Sequence, residues 1–187
     1  MILERVDKKH LLLQGIVGCK AQDSDVALRR VRTSFPNIQV QLMRADRIAG
    51  REHLLFAARN AVRAFHQHYE RAHTLAVELL LYASCQRQIS KAIQLLGVNA
   101  QTREVVLAAL SDKRMPPGMV EDVAKILQGS PDDRVLEVLS KKKIAELKDA
   151  YNVGRIELEA SKLPLEDEVS VLKRLIIERS ALLTVEK

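Results

Sequence analysis

The chain has 187 residues, 47% of them hydrophobic, and a formal net charge of +6. That is enough apolar material for one substantial core and short enough for one domain, and no stretch approaches the roughly 20 apolar residues of a membrane span. Residues 1–9 are charged and lack the apolar centre of a secretory signal, so the expectation is a cytoplasmic protein that keeps Cys19 and Cys85 as free thiols. The charge is uneven: residues 1–100 hold 15 Lys/Arg against 8 Asp/Glu, whereas residues 101–187 hold 15 against 16. A basic surface is the electrostatic footprint of a phosphate-backbone ligand. Charge of this size also occurs on proteins that never meet nucleic acid, so the position of the basic side chains has to decide.

In chain order, residues 11–18 (LLLQGIVG) form a short apolar run ended by glycine, and residues 38–43 (IQVQLM) alternate with period two. Both predict strands. Between them, residues 24–34 begin with an N-cap candidate, Ser24, and stop before Phe35-Pro36, where proline disfavours helical geometry. Residues 51–68 place Leu54, Leu55, Ala58, Ala61, Val62 and Phe65 on one helical face. Residues 73–84 are apolar nearly all round, which predicts a buried helix. Residues 86–96 direct Ile89, Ala92, Ile93 and Leu96 inward and end at Gly97, expected as a left-handed C-terminal cap. Residues 103–110 predict a third strand, with a helix as the alternative because of their alanines. Further helices are expected at 118–128, opened by Pro116-Pro117 and closed by Gly129-Ser130-Pro131, and at 141–151 and 167–183. The predicted fold is α/β (α+β): a single domain over residues 1–187, in which a small antiparallel or mixed sheet of about three to four strands is packed by about six to eight helices.

The motifs of common enzyme chemistry are missing. No Gly-rich phosphate loop, GxSxG elbow or HExxH helix occurs. His66 and His68 are two apart on a predicted helix and point to different faces, so with His53 and His73 they read as solvated histidines before metal ligands. Cys85 is expected at the start of a helix, where the dipole lowers a thiol pKa, but with no base beside it the structural reading is preferred. Asp132-Asp133 and Glu166-Asp167-Glu168 fall near helix starts and read as caps.

Basic side chains are the better candidates. Phe56, Arg59 and Arg63 fall at i, i+3 and i+7 on the first long helix, where an aromatic ring and two guanidinium groups can line one stripe for an unpaired base and its phosphate. The competing reading is a solvated helix face with Phe56 tucked into the core. Arg44 and Arg47, just before that helix, would extend the patch. Arg87, Lys91 and Gln94 form a second polar stripe. The cluster Arg29-Arg30-Arg32 is expected to complement Asp23 and Asp25, and Lys141-Lys142-Lys143 is diluted by acidic neighbours.

Two blocks, residues 48–65 (IAGREHLLFAARNAVRAF) and 79–98 (LLLYASCQRQISKAIQLLGV), resemble the TPRKB-like family, the kinase-binding small subunit of the KEOPS tRNA-modification complex. The resemblance implies a mixed α/β fold, no catalytic activity of its own and no cofactor. It also implies direct binding to an atypical kinase/ATPase subunit, which contacts the subunit that makes threonylcarbamoyladenosine beside the tRNA anticodon. Archaeal members are implicated in gripping the 3′ CCA end of tRNA. Kinase docking is expected on an exposed apolar patch with a polar rim in the 79–96 region, with Leu81, Tyr82 and Leu95 as anchors and Arg87 and Lys91 at the rim.

Overall fold

The computed structural model describes residues 1–20 and 24–184. Its framework is an antiparallel sheet whose central strand is the segment with the most ambiguous sequence. That strand, Glu104–Ser111, lies between Lys9–Val17 on one side and Gln39–Arg44 on the other. Every residue from Val105 to Ser111 is buried. A strand covered on both faces needs no polar alternation, and this is why its pattern could be mistaken for a helix. In chain order the strands are β1 (Ile2–Val6), β2 (Lys9–Val17), β3 (Gln39–Arg44), β4 (Glu104–Ser111) and the two-residue β5 (Ser130–Pro131), and the sheet order is β1-β2-β4-β3.

β1 and β5 are additions to the predicted three strands, and they share the outer edge of β2. Ile2 to Val6 face Leu13 to Lys9, while Pro131 and Ser130 face Ile16 and Val17. Where they meet, the carbonyl of Asp132 lies 2.2 Å from the position a side chain on Gly15 would occupy, so only glycine lets the chain cross there.

Eight α-helices are present among the described residues: α1 (Ser24–Ser34), α2 (Arg51–His66), α3 (Leu75–Ser84), α4 (Ile89–Leu96), α5 (Met119–Leu127), α6 (Lys141–Ala150), α7 (Arg155–Ser161) and α8 (Glu168–Leu182). Two faces of the sheet receive different helices. Leu12, Ile16, Val40, Leu42, Val105, Leu107 and Ala109 pack with α1 and α5 through Val31, Val123 and Leu127. Leu11, Leu13, Met43, Val106, Ala108 and Leu110 point the other way, onto Leu54, Ala58, Leu79, Tyr82 and Leu96 of α2, α3 and α4. The result is a three-layer single-domain α+β fold, with a smaller third cluster where α6 and α8 close over Ala49 and Tyr151.

Local signals explain most helix boundaries. Thr74, Ser140 and Asp167 cap α3, α6 and α8 by accepting from Val77, Lys143 and Ser170 N–H. Asp132 caps the short 3₁₀ turn that follows β5 by accepting from Arg134 N–H, as the acidic runs suggest. Three expectations need correction. Gly97 is extended (φ −63°, ψ 138°), not left-handed; glycine is required there because a side chain would meet the carbonyl of Ile93 at 2.4 Å. His53 is fully buried, not solvated: its Nδ1 accepts from the Ala49 N–H at 3.2 Å and its ring meets Tyr151 edge-on at 5.8 Å. Leu55 and Phe65, predicted on the core face, pack against the core but are only half-buried, and Ala57 and Ala64 join the fully buried positions of α2. Asp23, expected to balance the basic cluster of α1, lies outside the described residues.

Candidate partner-docking site

α4 is eight residues long, and its sequence ISKAIQLL offers more apolar side chains than its inner face can use. Ala92 and Leu96 are buried, and Leu95 is half-buried between two clusters. Ile89 and Ile93, expected inward, instead stand 41% and 54% exposed. They form one wall of a groove of about 250 Å³ that runs beside β3, the strand at the sheet's edge, where α1 contributes Leu28 and α3 contributes Val77 and Leu80. Its polar end is made by Arg32, whose guanidinium donates to the Val40 carbonyl at 3.3 Å, and by Gln41, whose amide donates to the Leu42 carbonyl at 3.3 Å. Outward carbonyls of an edge strand invite pairing with another chain, and these two side chains occupy them. What stays open is an apolar strip with a polar end, the composition that a protein partner desolvates.

The anchors expected from the sequence do not face this groove. Leu81 and Tyr82 are 1% and 0% exposed, because α3 runs through the centre of the helical layer with sheet on one side and α2 and α4 on the others. An all-apolar helix signals burial, and at these two positions the burial is complete. Leu95 and Lys91 sit on the opposite side of α4, in a cleft of about 430 Å³ that also holds Gln86, Gln94, Arg44 and Arg47. Arg87 is exposed in the turn before α4.

The expected RNA-facing residues divide into two groups. Arg44 and Arg47 line the polar cleft, and Arg44 also lines the neighbouring depression of about 540 Å³ with Arg103 and Lys142. Both arginines are engaged within the protein. Arg44 holds Asp46 through two hydrogen bonds, which raise its pKa, and Arg47 donates to the Glu146 carbonyl at 2.7 Å. Phe56, Arg59 and Arg63 are together on the outer face of α2, all exposed, and the Arg59 guanidinium lies 5.6 Å from the centre of the Phe56 ring. The alternative in which Phe56 enters the core does not hold, since the residue is 41% exposed.

Covalent chemistry finds no support in the thiols. Cys85 closes the C-terminal end of α3 in a left-handed conformation (φ 54°) instead of opening a helix, so the dipole there disfavours a thiolate. Burial pushes its pKa up to about 12, and that of the buried Cys19 to about 11. Lys143 is held by desolvation at about 8, and its ammonium donates to the carbonyls of Val135 and Glu137 at 2.6 and 3.0 Å, which tethers α6 to the preceding 3₁₀ turn. No described helix is long and apolar enough to cross a membrane.

Ile89 and Ile93 were legible as apolar but not as exposed, because a periodicity of i, i+3, i+4 does not say whether the covering surface belongs to the same chain. Among known protein families, the one described as kinase binding protein CGI-121 matches residues 21–184. A search of curated proteins finds no significant match. With the match running through every helix and through β3, β4 and β5, the chain belongs to the CGI-121 family of kinase-binding proteins.

Proposed function

We propose that this protein is a non-catalytic accessory subunit of a KEOPS-type complex, which docks the complex's atypical kinase/ATPase subunit on the α4 groove and helps to recruit tRNA by its 3′ CCA end. Through the kinase it stands next to the subunit that forms threonylcarbamoyladenosine beside the anticodon, in the cytoplasm. The observation that carries the docking half is the pair Ile89 and Ile93, exposed over an apolar groove in a chain that belongs to a kinase-binding family. A few desolvated apolar anchors supply most of the energy of such an interface, and surrounding polar groups exclude water.

The RNA half rests on the α2 stripe. An exposed aromatic ring with a guanidinium at its face and a second arginine one turn further on can stack an unpaired base and meet its phosphate. Arg44 and Arg47 are the weaker candidates for this role because their guanidinium groups already serve internal acceptors. The test is binding of the chain to full-length tRNA and to the same tRNA without its CCA end, across a salt series, with Arg59→Glu/Arg63→Glu alongside. Affinity that drops on CCA removal and in the charge reversal supports the proposal. Equal affinity for an unrelated RNA leaves a kinase-binding protein without a tRNA role.

A further inference from the structure

Glu78 and Tyr82 lie one turn apart on α3, on the side away from Val77 and Leu80, and neither is exposed to solvent. Glu78 Oε2 accepts from the backbone N–H groups of Arg71 at 2.9 Å and Ala72 at 2.8 Å, which pins the carboxylate beneath the 67–74 connection between α2 and α3. Glu78 Oε1 has no protein partner within hydrogen-bonding reach. The same is true, in the connection itself, of the hydroxyl of Tyr69 and of Glu70 Oε2, while the Tyr82 hydroxyl has no partner in good geometry and lies near the Arg71 guanidinium. Both tyrosines belong to the apolar cluster that holds Ala72 and Leu183, and Glu70 acts electrostatically on Glu78 as Tyr69 and Glu78 do on Tyr82, so the four groups are neighbours at one corner of that cluster.

A carboxylate oxygen only accepts, and a tyrosine hydroxyl donates one proton and accepts another. The two hydroxyls could satisfy the two carboxylates directly, but none of these pairs is in reach. The corner needs a small mediator that both donates and accepts. A cation is a poorer fit, because it cannot take the hydroxyl protons and because the Arg71 guanidinium already acts on Glu78 and Tyr82 as the local positive charge. We propose that this corner is an internal hydration site, in which water donates to Glu78 Oε1, accepts from the Tyr82 hydroxyl and extends to Tyr69 and Glu70, fastening the 67–74 connection to α3. Buried water with two to four polar partners is an integral part of many folds. The Arg71 side chain donates to the Leu183 carbonyl at 2.6 Å, so the site also bears on how the end of α8 is held.

The experiment is a crystal structure of the full chain at a resolution that shows ordered water, for the wild type and for Tyr82→Phe, together with water-to-protein nuclear Overhauser measurements on the wild type. The expected result is a peak about 2.8 Å from both Glu78 Oε1 and the Tyr82 hydroxyl, with a matching solution signal, lost or displaced in Tyr82→Phe. A direct Tyr82–Glu78 hydrogen bond in a dry corner overturns the proposal, as does an anomalous peak there after soaking with thallium, which would mark a cation. Should Tyr82→Phe fail to fold, the wild-type density and solution signal decide alone.

Discussion

α3 and α4 are consecutive, similarly apolar and separated by four residues, yet they do opposite work. α3 buries every residue but the half-buried Val77, which with Leu80 only floors the groove, whereas α4 buries only Ala92 and Leu96 and turns Ile89 and Ile93 outward. The more apolar of the two is therefore the structural one. Hydrophobicity that exceeds one helix face is explained within the chain when sheet and helices enclose it, and points to a partner when they do not.

The comparison breaks first at Leu81. Truncation to alanine is expected to destabilise the protein by about 2–5 kcal/mol, read as a lower denaturant midpoint, while kinase affinity of the folded protein stays unchanged; an affinity loss without a stability loss would return α3 to the interface. The next effect belongs to His53, one helix earlier. Desolvation lowers its folded pKa from 6.5 to about 4, so the unfolded chain binds the extra proton between those values. Its contribution is fully present above pH 6.5 and is lost as pH falls towards 4, a change of about 3 kcal/mol. His53→Gln should flatten this part of the pH–stability profile, and an unaltered slope would contradict the burial.

Glu78 has the opposite sign and a smaller effect. Desolvation raises its pKa above 4.5 despite the two backbone N–H groups that favour the carboxylate. The folded state then keeps a proton that the unfolded state has lost, so stability declines as pH rises from 4.5 through the raised value. Glu78→Gln should remove this decline and leave the His53 slope in place, as thermal melts from pH 4 to 8 can resolve. The smallest stability change is expected for Arg59→Glu/Arg63→Glu, within about 0.5 kcal/mol for exposed positions. Its tRNA binding should nevertheless lose salt dependence, by roughly 0.7–0.9 in log–log slope for each phosphate contact removed.

Much of the fold was legible because short-range rules govern it. Thr74 and Asp167 cap where a cap was needed, and the alternation of residues 38–43 matches β3. β1 was not legible: ILERV alternates weakly, and its pairing with β2 depends on a turn through Asp7, a non-glycine residue at φ 52°. β5 is two residues long and exists only because Gly15 admits the crossing chain. α7 follows from packing of Leu158 against the α8 cluster, a long-range cause that seven residues do not announce. At the candidate site, the α2 stripe could be read from spacing because the face it occupies is solvent. Arg44 and Arg47 could not, since Asp46 and the Glu146 carbonyl intercept them, the latter from 99 residues away.

The central claim is that the kinase docks on the groove walled by α4 and not on Leu81 and Tyr82 of α3 or on the α2 stripe. Its most direct measurement is a calorimetric titration of the kinase subunit with the wild type, with Ile89→Asp/Ile93→Asp and with Arg59→Glu/Arg63→Glu, each first checked for an unchanged melting transition. The account predicts that the isoleucine pair loses at least about tenfold in affinity, ~1.4 kcal/mol, while the arginine pair binds like the wild type. Wild-type affinity in Ile89→Asp/Ile93→Asp, with the fold intact, would contradict it.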